Sequence, residues 1–154
     1  MNRLLLCIGV VLMVSTALAA GESNPIVRTF PGASKIAVVG EGALEPRSVG
    51  SYSIRIYDAS DPRFPYDHFI TGTVRPRDGV VEDVRFSDLD GDGLPDIIVI
   101  IRSVGTGGYI SADAFKLRGT VLTPLESLSG LANDADPILA LEAKLRARAG
   151  KRLP

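Results

Sequence analysis

The run DIIVIIRS, residues 96–103, constrains the fold more than any other part of the chain. It is apolar on both faces and rich in β-branched residues, so it offers no polar face to water and must be a central strand. The flanking sequence follows the two-residue period of β-structure. In SYSIRIYD, residues 51–58, Tyr52, Ile54 and Ile56 share one face and Ser53, Arg55 and Tyr57 the other. SKIAVVG (34–40), HFITGTVRP (68–76), VVEDVRFSD (80–88), YISADAFKL (109–117) and GTVLTPL (119–125) supply further strands. RPRDG between HFITGTVRP and VVEDVRFSD signals a turn, and ASDPRFPYD, with two prolines, a loop. Short strands joined in this way specify a mostly β, antiparallel sandwich or barrel-like single domain over residues 34–150. A helix closes it. Asp136 is an N-cap, Pro137 takes the first helical position, and Ile138, Leu141 and Leu145 fall on one face before Gly150.

The first nineteen residues do not belong to that domain. Arg3 opens them, residues 4–14 form an apolar core, and Ala17 and Ala19 supply small residues for cleavage. This is the layout of a secretory signal peptide, whose core is too short to anchor the chain in a bilayer. Export to a bacterial periplasm is therefore expected, with residues 20–33 an exposed N-terminal segment. Cleavage also removes Cys7, the single cysteine, so packing alone must hold the fold. Without Arg3 the 17 Lys and Arg become 16, against 18 Asp and Glu, a nearly balanced charge that suits no nucleic acid partner.

Two segments invite functional readings. In DLDGDGLPD, Asp88, Asp90, Asp92 and Asp96 with Gly93 match positions 1, 3, 5, 9 and 6 of a calcium loop. Val99 stands where the twelfth-position glutamate belongs, and a β-run follows where a helix belongs, so the EF-hand pattern fails at both points. What remains is a calcium loop completed by carbonyls and water, or an acidic turn leading into the central strand. The second segment follows that strand: Ser103, Gly105, Thr106, Gly107, Gly108 and Tyr109. It lacks the third glycine of a dinucleotide fingerprint and the lysine of a phosphate loop. Three hydroxyls around three glycines instead suit a narrow protruding loop that approaches another surface closely. The alternative is that Tyr109 starts the next strand with its ring in the core.

FSDLDGDGLPDIIVIIRSVGTGGYISADAF, residues 86–115, resembles the periplasmic inhibitors of invertebrate-type (I-type) lysozyme, the PliI family. The shared features are a DGDG turn, an apolar strand and then R-S-x-G-[ST]-G-x-Y. The resemblance implies a lysozyme as partner and a Ser-Gly-x-Tyr element that enters the enzyme's cleft. That element falls here on Thr106, Gly107, Gly108 and Tyr109, with threonine replacing serine. Such an inhibitor needs neither turnover nor cofactor. Consistent with that, the lone His68 has no partner motif, and neither a G-x-S-x-G elbow nor an HExxH pair occurs. The competing reading is an exported calcium-dependent module for adhesion or carbohydrate binding, using Asp88 to Asp96.

Overall fold

The computed structural model describes residues 24–151, so the leader lies outside the described residues. Among the described residues eight strands precede one helix: β1 (Ile26–Thr29), β2 (Lys35–Glu41), β3 (Val49–Asp58), β4 (His68–Asp78), β5 (Val80–Ser87), β6 (Asp96–Arg102), β7 (Ile110–Arg118), β8 (Val121–Leu131) and α1 (Pro137–Gly150). They form two four-stranded antiparallel sheets, β1-β2-β3-β4 and β5-β6-β7-β8, each in sequence order. The architecture is a sandwich of two open meanders, not a closed barrel.

The two apolar faces of β6 have separate destinations. Ile97, Val99 and Ile101 join Val39, Tyr52, Ile54, Ile56 and Phe115 between the sheets. Ile98 and Ile100 face the other way, packing with Ala112, Ala114 and Leu141 beneath the helix. Three stacked layers thus explain why this strand has no polar side. Leu141 is fully buried, which stabilises the helix docking by about 1.5–3 kcal/mol. Asp136 caps the helix by accepting from the N–H groups of Ile138 (2.8 Å) and Leu139 (3.3 Å). Lys144 and Arg148 tie it to Glu126 of β8.

Three features depart from the sequence expectations. Ile26–Thr29, within the segment expected to be exposed, pairs with β2 as an edge strand, and the adjoining Phe30 is buried against Phe86. RPRDG does not turn a hairpin: β4 continues through Asp78, and Gly79 carries the chain from one sheet to the other. The last strand runs on to Leu131, with Pro124 opposite Phe115 where the register shifts. Proline is tolerated there because β8 is an edge strand.

Candidate functional site

Arg102 and Ile110 are the last paired residues of β6 and β7, leaving residues 103–109 as the connecting loop. Its base is closed by the Ser103 N–H donating to the Tyr109 carbonyl at 2.9 Å, and its tip by Gly108 N–H to the Gly105 carbonyl at 3.1 Å. Arg102 braces one side. Its guanidinium donates to the Gly108 carbonyl at 3.0 Å and pairs with both oxygens of Glu82 at 2.9 Å.

Thr106, Gly105 and Gly107 are exposed, Ser103 and Gly108 half-buried. Tyr109 is 57% exposed, while the next residue, Ile110, carries the strand's alternation into the core. The ring lies over Gly107, where a Cβ would stand only 2.5 Å from ring carbon Cε2. Any other residue at 107 must displace that ring. Among the described residues no hydrogen bond engages the Thr106 hydroxyl or the Tyr109 phenol, so both are free to meet a partner.

The loop stands on a rigid neighbour. Gly79, at φ 121°, packs its α-carbon against the Arg102 carbonyl, which a Cβ would approach to 2.2 Å. The Gly79 N–H donates to the Ser48 carbonyl, so the same residue anchors the β2–β3 loop, residues 42–48. Arg77 completes the anchor. Its buried guanidinium donates to the carbonyls of Ser51 (3.0 Å), Arg47 (2.9 Å), Pro46 (3.1 Å) and Gly79, beside the carboxylates of Glu41 (3.5 Å) and Glu45 (3.8 Å). Glu45 in turn accepts from the Ser51 N–H at 2.5 Å and the Ser51 hydroxyl at 2.8 Å. These bonds, the backbone one foremost, hold its carboxyl below the usual carboxylate range.

The β2–β3 loop thereby presents Leu44, which is 90% exposed and held at φ 68°. A left-handed backbone is unfavourable for a branched apolar residue and persists only where its surroundings impose it. Val49 and Val104 are also exposed at this end. Sequence reasoning missed Leu44, Arg77 and Gly79; the one local signal was an apolar residue between Gly42 and Pro46 in a stretch of turn composition.

The acidic turn occupies the opposite end of β6, about 20 Å away for a seven-residue strand. Asp88 organises it, accepting from the N–H groups of Gly91, Asp92 and Gly93 at 2.8–3.0 Å. Asp88, Asp90 and Asp96 each bring a carboxylate oxygen within 4.8 Å of the others. Asp92 does not join that group; it faces Lys116 and Arg118 and accepts from the Leu94 N–H. Asp96 is fully buried, and burial pushes its carboxyl up to about 6, the Asp88 charge adding to the rise and the Leu89 N–H opposing it.

With both ends of the sandwich described, the comparisons decide between the readings. The family model for the periplasmic lysozyme inhibitor of I-type lysozyme, PliI, matches residues 24–145. The chain belongs to the PliI family. Among solved structures it is similar to the PliI of Aeromonas hydrophila, at 42% identity and TM-score 0.70, covering 76% of this chain and 98% of that one. A second structure, the Aeromonas hydrophila PliI in complex with Meretrix lusoria lysozyme, gives 42% identity and TM-score 0.71, covering 77% and 94%. No curated protein matches. PliI proteins are periplasmic inhibitors, so this chain is not an enzyme, and an adhesion module is no longer the competing identity.

Proposed function

We propose that this PliI protein blocks an I-type lysozyme by seating residues 103–109 in the enzyme's substrate cleft. The observation that carries this reading is the exposed Tyr109 ring, turned out of the sandwich on a loop braced by Arg102 and Gly79. A lysozyme cleft is built for sugar rings and contains two carboxyl groups, one held protonated as the general acid. Tyr109 offers a flat apolar face with a polar tip, which suits a sugar subsite. The Thr106 hydroxyl can hydrogen-bond a cleft carboxyl in place of a sugar oxygen. A threonine at this position keeps the hydroxyl and adds one methyl to be fitted.

Seven residues do not make a tight complex by themselves, since a typical interface covers about 800 Å² on each partner. Val104 within the loop, and Leu44 and Val49 at the same end of the sandwich, supply exposed apolar surface, and the shared anchor at Gly79 keeps the two loops in one arrangement. Leu44 is the informative test. Leu44→Gly relieves the left-handed backbone, so the melting temperature should hold or rise. Inhibition should nevertheless weaken by about fivefold to twentyfold, the loss of one partly desolvated leucine. If Leu44→Gly inhibits as strongly as wild type, the β2–β3 loop lies outside the interface.

The function itself is tested by titrating the mature protein into I-type, chicken-type and goose-type lysozymes while following lysis of bacterial cell walls. Stoichiometric loss of I-type activity is the expected result. Unaltered lysis by every I-type enzyme tried at protein excess would reject it.

A further inference from the structure

We propose that the β5–β6 turn is a calcium site, with Asp88, Asp90 and Asp96 as its side-chain ligands. Two independent observations meet there. The first is the convergence of three carboxylates, each offering an oxygen within 4.8 Å of the others. The second is the state of Asp96. Its Oδ2 accepts from the Leu89 N–H at 3.1 Å, but its Oδ1 is buried with no hydrogen-bond partner among the described residues. The nearest cation, the Arg118 guanidinium, stays 3.8 Å from Oδ1, beyond hydrogen-bond reach. A buried carboxylate oxygen left in this condition is costly unless a positive ligand completes it.

The geometry selects among ions. Oxygens bound to one calcium at about 2.3–2.6 Å lie up to about 5 Å apart, which accommodates the observed cluster. Magnesium at about 2.0–2.1 Å would have to contract it. An all-oxygen set also disfavours zinc and copper, which prefer nitrogen and sulfur. Backbone carbonyls and water would fill the remaining positions.

Lys116 and Arg118 compete for the same acids and must be accounted for. Lys116 contacts Asp90 and Asp92, and Arg118 contacts Asp92. All four side chains are about a quarter to a third exposed, so these pairs are weakly held and screened by salt. Asp92 keeps both cations when calcium takes Asp90. The ion then staples the turn to the start of β6, at the far end of the strand from loop 103–109. It supports the scaffold and does not touch the partner.

The experiment uses the mature chain stripped with chelator and dialysed, then titrated with calcium or magnesium chloride in a calorimeter, with melting followed by circular dichroism. One calcium per chain should bind with a dissociation constant on the order of 10⁻⁴–10⁻³ M, the range of extracellular modules. The melting temperature should rise by several degrees at about 10 mM calcium and much less with magnesium. Asp96→Asn should abolish binding. Because Asp96 is buried, that variant can fail to fold; the exposed Asp90→Asn then decides, with at least a tenfold loss of affinity expected. Inhibition of lysozyme below the melting temperature should be the same in EDTA. No saturable heat and no shift in melting, or an unchanged response in Asp90→Asn, would overturn the assignment.

Discussion

Tyr109→Ala should raise the inhibition constant against I-type lysozyme by about a hundredfold while leaving the melting temperature within a degree or two of wild type. Truncating a central aromatic anchor at an interface costs on the order of 2–4 kcal/mol, or roughly 30-fold to 1000-fold in affinity. The fold should not register the change, because Tyr109 is 57% exposed and its ring lies over Gly107 rather than in the core. Thr106→Ala removes one hydroxyl that has no hydrogen-bond partner among the described residues. A hydrogen bond to a charged cleft carboxyl is worth about 1.5–3 kcal/mol, so a loss of about tenfold to a hundredfold is expected. The double variant should lose less than the product of the single effects if both groups seat in one cleft together. Circular dichroism beside an inhibition titration separates these outcomes from unfolding.

Arg77→Ala should have the largest effect on stability, about 3–5 kcal/mol, read as a fall in the urea midpoint. The guanidinium is 1% exposed and satisfies four carbonyls while facing Glu41 and Glu45. Its removal leaves the buried Gly79 carbonyl without that donor and the largely buried Glu41 carboxylate without its cation. Arg85→Ala is the control: its pair with Asp83 is solvent-exposed, so less than about 1 kcal/mol should be lost. Any folded Arg77→Ala protein should also inhibit poorly, since the β2–β3 loop and the Gly79 corner lose their common anchor. Full stability in that variant would show that the buried network carries less than its geometry implies.

The parts of this molecule that were legible in its sequence are those where one residue pattern had one physical outcome. Ile97 to Ile101 had no polar face to offer, so a central strand was forced; Asp136 and Pro137 marked the helix start. The loop from Ser103 to Tyr109 could be located because its glycines sacrifice packing for close approach. Other features depended on distant partners. Ile26 to Thr29 is too short a run to declare itself and forms a strand only because β2 offers an edge. Gly79 looked like a hairpin glycine, since its departure into the second sheet is set by where Arg102 lies. Leu44 gave almost no signal, because its exposure and its left-handed backbone both follow from Arg77 and Glu45 fixing the chain around it. In the acidic turn the spacing suggested four equivalent ligands. Asp92 instead turns to Arg118 and shares Lys116 with Asp90, partners more than twenty residues further on that the spacing does not reveal.

Occupation of a sugar-binding groove by Tyr109 is the claim most directly open to measurement. The affinity of the wild-type protein for an I-type lysozyme should be determined with and without a saturating N-acetylglucosamine oligomer in the enzyme's cleft. Mutual exclusion is the expected outcome, with apparent affinity falling in proportion to oligomer concentration and Tyr109→Ala losing most of its binding in both conditions. A ternary complex in which oligomer and inhibitor bind together at full strength would contradict the account.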